Sequence, residues 1–167
     1  VTFYRSVEQL PPFEDYDMAG RTYRFFDGEV LYPFGYGLSY TTFEYSELSL
    51  SHDRMDGPEI VRVTCEVKNI GEVTGDEVVQ IYLRDDKASY PVPRHSLVGF
   101  KRVRLAPGVK ERVTFEIEPR QFACVNDDGE WVVETGTFTV FAGGGQPGTV
   151  ETLSATLSLV GENVVLD

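Results

Sequence analysis

Histidine, cysteine and tryptophan are scarce in this chain, with 2 His, 2 Cys and 1 Trp among 167 residues. His52 and His95 each sit in a polar loop context. Neither has a second His or Cys at ligand spacing, so no metal site is expected. Cys65 and Cys124 form no CxxC and no zinc pattern. Cys65 falls at an inward strand position, where a buried thiol is expected; a Cys65–Cys124 bridge stays open at this level. Basic residues are also few, 15 Lys+Arg against 27 Asp+Glu, for a net charge of −12. That surface repels phosphate backbones and excludes nucleic acid as an expected partner. No apolar run approaches the ~20 residues of a membrane helix, so no membrane partner is expected. The chain opens on Val1 with neither a basic nor an apolar leader, so no signal peptide is expected within it and its location is left open. The Gly143–Gly145 and Pro147–Gly148 cluster precedes no helix and no Lys–Ser/Thr, which makes it a flexible turn and not a phosphate loop.

Aromatics, by contrast, are concentrated. Of 11 Phe, 9 Tyr and 1 Trp, 13 lie within residues 1–45. The run GRTYRFFDGEVLYPFGYGLSYT, residues 20–41, holds Tyr23, Phe25, Phe26, Tyr32, Phe34, Tyr36 and Tyr40 between glycines. Each aromatic buries ~150–250 Å² when packed, so the segment must lie against something large. Tyr23–Phe26 and Val30–Tyr32 flank Asp27–Gly28, which predicts a β-hairpin. Residues 1–4 suggest a short strand, and residues 10–18, with Pro11 and Pro12, a loop.

Beyond residue 42 the chain alternates. Val61, Val63, Cys65 and Val67 share one face, with Arg62, Thr64, Glu66 and Lys68 on the other, a period of two that marks a half-buried strand. Val79, Ile81 and Leu83 repeat the pattern, as do Val113, Phe115 and Ile117, then Phe138, Val140 and Ala142, then Leu153 to Leu159. Phe43 and Tyr45 fall out of phase with Leu48 and Leu50, which predicts a bulge near Ser46–Glu47. Turn signals at Asn69–Gly71, Gly75–Asp76, Pro107–Gly108, Asp128–Gly129 and Gly136 separate the runs. Short strands without a helical period predict an antiparallel sandwich, with at most one helical turn near Pro119–Phe122.

Chemistry-bearing patterns are sparse. Glycosidic hydrolysis uses two carboxylates; Glu14–Asp15, Asp85–Asp86 and Asp127–Asp128 are paired in sequence, but all fall in predicted loops or turns where Asp serves the backbone. Ser39, in GLSYT, lacks the second glycine of a nucleophile elbow. Asn126–Gly129 lacks the later ligands of a calcium loop. The aromatic run admits two uses: packing against a partner surface, or a platform on which sugars stack.

The run at residues 20–41 and the preceding VTFYRSVEQLPPFEDYDM resemble the C-terminal part of glycoside hydrolase family 3, the β-glucosidases and β-xylosidases. Asn69–Gly71 with GDEVVQIY at 75–82, LVGFKRV at 97–103, LAPG at 105–108 and GTFTV at 136–140 carry the likeness onward in order and spacing. The resemblance implies an all-β, immunoglobulin-like or fibronectin type III-like β-sandwich at 43–167. It would be preceded at 1–42 by the end of an α/β domain and an irregular aromatic linker containing the hairpin. It implies a parent enzyme whose catalytic carboxylates lie in other domains. No catalytic residue, cofactor or metal is therefore expected here, and the chain alone is expected to be inactive. The expected partners are the parent's own catalytic domains and, through them, its oligosaccharide substrate, with self-association where those domains are absent. Tyr23, Phe25, Tyr32, Phe34 and Tyr36 are the interdomain packing candidates. Arg94 lies in a loop that approaches the active site in some members. The resemblance is consistent with a secreted or periplasmic setting.

Overall fold

The computed structural model describes residues 2–166. The N-terminal segment holds a strand β1 (Phe3–Tyr4), a 3-10 turn (Val7–Gln9), a single α-helical turn α1 (Thr22–Phe25) and a strand β2 (Val30–Tyr32), joined by irregular chain. Eleven strands follow. They are β3 (Phe43–Leu50), β4 (Arg54–Asp56), β5 (Val61–Asn69), β6 (Gly75–Asp85), β7 (Ser96–Leu105), β8 (Lys110–Ile117), β9 (Cys124–Val125), β10 (Trp131–Val133), β11 (Gly136–Gly143), β12 (Leu153–Val160) and β13 (Val164–Leu166).

Two sheets make the sandwich, one ordered β3-β5-β8 and one ordered β4-β12-β11-β6-β7. All their pairings are antiparallel except β12 with β4. The core lies between them: Val61, Val63, Cys65 and Val67 on β5 oppose Val79, Ile81 and Leu83 on β6, with Phe138, Val140 and Leu157 alongside. The all-β sandwich predicted from alternation is therefore the observed fold, because a period of two places every second residue on the buried face. A small sheet β13-β10-β9 closes one end, its β9–β10 hairpin turning through Asp128–Gly129. Pro119–Phe122 forms a 3-10 turn.

The bulge lies where the phase slip placed it. Ser46 pairs with Glu66 and Ser49 with Thr64, so two residues on β3 oppose Cys65 alone, and Glu47 takes a left-handed φ of 53°. Tyr45 and Leu48 thereby both reach the core.

The predicted hairpin across Asp27–Gly28 is not formed. Tyr23–Phe26 instead curl into α1, where the Phe26 amide donates to the Thr22 carbonyl at 3.0 Å. Val30–Tyr32 pair with Phe3–Tyr4, antiparallel. An isolated two-stranded hairpin is marginal in water. Coiling residues 22–25 lets Tyr23 reach the sandwich, which offers a larger apolar surface.

The middle of one strand, residues 79–83, is buried on both faces. On β6, Gln80 and Tyr82 point away from the core yet are 6% and 0% exposed. The N-terminal segment covers them.

Candidate functional site

The site with the most chemistry is the seat of the aromatic linker on the outer face of the five-stranded sheet. Tyr23 stacks on Phe34, centroids 4.2 Å apart and planes 16° apart, and meets Tyr82 edge-on at 6.3 Å. Tyr4 packs edge-on against Phe26 at 4.8 Å and its hydroxyl accepts the Thr22 amide. Tyr82 donates its hydroxyl to Gln80 Oε1 at 2.6 Å, and Gln80 donates to the Gly144 carbonyl. Gly35 passes directly over Gln80 at φ +78°, and a Cβ there would press on the Gln80 amide, so close approach and backbone both call for glycine.

The orphan carbonyls at the end of α1 are met by the sandwich. Gln146 Nε2 donates to the Tyr23 carbonyl at 3.4 Å, the Arg94 amide to Arg24 O at 2.7 Å, and the Arg94 guanidinium to Phe26 O at 3.1 Å. A cation at a helix C-terminus is the favourable sign. Arg94 therefore clamps the linker. Its loop is held at the other end by Ser89, whose amide donates to the buried Glu134 carboxylate at 2.8 Å.

The five aromatic candidates divide. Tyr23 and Phe34 face inward as a stacked pair, and Phe25 is half-buried. Tyr32 and Tyr36 face outward, 4.9 Å apart and tilted by 43°, with Phe3 edge-on to Tyr32 at 6.0 Å. Leu38 extends this outer ridge, and both it and Tyr40 are almost wholly exposed. Sequence reasoning missed Tyr82, Gln80 and Gln146. The available signal was a Tyr and a Gln at the outward positions of β6, where a solvent-facing strand would carry charge.

Asn69 secures the junction of linker and sandwich. It is fully buried and uses all four amide bonds: it donates to Val73 O and Leu105 O and accepts from Thr41 Oγ1 and the Gly71 amide. Gly71 lies so close to Thr41 that no Cβ fits, which accounts for both ends of the Asn-x-Gly motif.

Other candidate groups serve the backbone or one another. Asp15 accepts the Asp17 amide, Asp85 the Lys87 amide, and Ser39 Oγ the Thr41 amide. Asp86 pairs with Arg84 at 2.6 Å. His52 sits beside Glu59 on the surface. His95 packs edge-on to Phe141. Burial and then the neighbouring Arg84 and Arg94 push its imidazole down to about 4, so it is neutral at pH 7. Among the described residues no group of three His, Cys, Asp or Glu is arranged to hold a metal.

Cys65 and Cys124 are both free and buried. Burial pushes each thiol up to about 11, with Glu134 adding to the shift at Cys124. Neither is expected to react with a disulfide reagent at pH 8 until the chain unfolds, when both should titrate. Fast labelling of native protein would overturn this.

Between the sheets, Tyr45 on β3 donates its hydroxyl to Glu77 on β6 at 2.6 Å. Burial raises the Glu77 carboxyl above its ordinary value, against the lowering effect of the Tyr45 hydroxyl. The folded state thus holds the Glu77 proton more tightly than the unfolded state, and stability should rise as pH falls from above the folded pKa toward the unfolded value near ~4.3. Burial, reinforced by Glu77, also raises the Tyr45 phenol, so stability should fall as pH climbs past its unfolded value near ~10. Melting curves against pH should show both slopes, and Glu77→Gln should flatten the acid one; an unchanged acid slope would refute the assignment.

Residues 77–146 match the fibronectin type III-like domain model. A β-xylosidase of Formosa agariphila is 43% identical over 86% of this chain, and the thermostable β-glucosidase B of Acetivibrio thermocellus is 42% identical over 72%. The matches span 20% and 17% of those proteins, so the chain is about a fifth of the length of the curated relatives it matches. Among solved structures, a β-glucosidase of Erythrobacter marinus superposes with a TM-score of 0.79 at 35% identity, covering 95% of this chain and 21% of that one. β-Glucosidase 3B of Thermotoga neapolitana superposes with a TM-score of 0.72 at 40% identity, covering 83% and 18%. With the sandwich, the docked linker and these matches in hand, the chain is identified as a linker and fibronectin type III-like domain belonging to the C-terminal part of the family 3 β-glucosidases and β-xylosidases.

Proposed function

We propose that this chain is a non-catalytic module that braces the catalytic domains of a retaining β-glycosidase, one that removes terminal β-glucosides or β-xylosides. Residues 1–42 form the connector and 43–167 the brace. The observation that carries the reading is the two-sidedness of the linker. Tyr23 and Phe34 glue it to the sandwich, while Phe3, Tyr32, Tyr36 and Leu38 form an outer apolar ridge with 43% to 91% relative exposure. Large contiguous apolar ridges mark protein contacts. The parent would hold its nucleophile and acid/base carboxylates in the domains that receive this ridge. A flat sugar-stacking platform is less well supported, because the Phe3, Tyr32 and Tyr36 rings stand 84° and 43° apart and offer no common plane.

The 167-residue chain should hydrolyse no aryl β-glucoside or β-xyloside, and it should self-associate through the ridge. Leu38→Lys should shift it toward monomer with the melting temperature unchanged. Turnover surviving repurification, or a monomer at high concentration with the ridge intact, would sink the proposal.

A further inference from the structure

Beside the linker, the outer face of the five-stranded sheet carries an exposed patch of its own. On the edge strand β7, Phe100, Arg102 and Arg104 stand cross-strand from Gln80, Val78 and Asp76 of β6, all on the outer face. Phe100 is 69% exposed. Arg102 and Arg104 share a single carboxylate, Asp76, at 2.9 and 3.2 Å. Two guanidiniums on one carboxylate leave a positive charge uncompensated and N–H donors to spare. The other shared cluster among the described residues balances, since Lys110 and Arg112 meet Glu66 and Glu47. Gly35, which lines the ridge, lies over Gln80, so the cationic patch adjoins the ridge.

The complementary chemistry lies in residues 13–17, FEDYD. Phe13 and Tyr16 are 88% and 86% exposed, and Glu14, Asp15 and Asp17 are exposed with them. The backbone there is nonetheless fixed. The Asp15 amide donates to the Pro12 carbonyl at 3.1 Å, and the Asp15 and Asp17 carboxylates each accept the amide two residues on. The Arg21 guanidinium donates to the carbonyls of Asp15 and Asp17, so it is engaged by backbone and not by their carboxylates. The result is a set knuckle that presents two aromatic rings and three carboxylates to water. A knuckle already ordered loses little further freedom on docking.

At a net charge of −12, two copies repel over most of their surfaces, so an electrostatic match fixes where they touch. The β7 face and the knuckle are such a match, guanidinium for carboxylate and ring for ring. We propose that the Phe100–Arg102–Arg104 face of one copy receives the Phe13–Asp17 knuckle of a second copy. Exchange about a two-fold axis over the ridge makes the contact twice and closes at a dimer. This contact rests on the self-association stated above and names what meets what in it; the bracing role is read separately, by turnover.

Sedimentation of the 167-residue chain tests it by charge exchange. Arg102→Glu with Arg104→Glu should raise the dimer Kd at least about tenfold, and Glu14→Lys should act in the same direction. An equimolar mixture of the two variants should recover a heterodimer, because each reversed surface then meets the opposite charge. A folding defect would not be rescued by mixing. Arg102→Gln with Arg104→Gln places no new carboxylate beside Asp76; it should also weaken the dimer, at an unchanged melting temperature. A dimer indifferent to all these substitutions, or a mixture that stays monomeric, overturns this contact and leaves association through the ridge standing. A parent chain that is monomeric at high concentration overturns both.

Discussion

Replacing Asn69 by Asp should cost about 3–5 kcal/mol, because the substitution leaves an uncompensated charge in a fully buried site. The shape barely changes. The nitrogen that donates to Val73 O and Leu105 O becomes an oxygen facing two oxygens. For a domain of this size the melting temperature should drop by roughly 10 °C. The loss should shrink at acid pH, since the introduced carboxyl, once protonated, can restore one donated bond. A variant as stable as the parent at pH 7 would show that the four-bond network at the linker junction is not formed in solution. Thermal melts at pH 7 and pH 4 decide the matter.

Tyr23→Ala should release the linker without unfolding the sandwich. The change removes the stack on Phe34 and the edge contact with Tyr82, and large-to-small changes of this kind cost about 3 kcal/mol when the ring is well packed. That cost falls on linker docking, because Tyr23 lies on the outer face of the five-stranded sheet and outside the inter-sheet core. Limited proteolysis should therefore cut the variant within residues 20–40, while the melting transition of the sandwich stays close to that of the parent. Arg94→Ala should act in the same direction but more weakly, by about 1 kcal/mol. It removes the guanidinium bond to Phe26 O and leaves the backbone bond from residue 94 to Arg24 O in place. An unchanged cleavage pattern in Tyr23→Ala would mean that the linker is not seated on Tyr82.

These two sites also show where sequence reading succeeds and where it stops. Alternation in Val61–Val67 and Val79–Leu83 was enough to place the core strands, because inward and outward positions on a strand differ in polarity whatever the strand pairs with. The slip between Tyr45 and Leu48 was enough to place the bulge for the same reason. At residues 23–32 the local pattern failed. Asp27–Gly28 favours a tight hairpin turn, yet tertiary contacts outweighed that preference: Tyr23 gains more by stacking on Phe34 over Tyr82 than by pairing across a two-stranded ribbon. Arg94 stood out only through the resemblance, as a residue of a loop that approaches the active site in some family members. Its role as a clamp depends on carbonyls at positions 24 and 26, about seventy residues away along the chain.

The amino-acid sequence by itself determined an all-β sandwich, the absence of helical and phosphate-binding patterns, and a block of aromatics too dense to remain in water. Periodicity and turn chemistry are local, and local signals survive without knowledge of the fold. Only the tertiary structure decided which aromatics turn inward and which form the outer ridge. It also decided that the middle of β6 is buried on both faces, and that a polar groove opens between the linker and the 144–150 turn. Those outcomes rest on contacts between segments far apart in the chain, whose strength depends on the shape and burial of both partners at once.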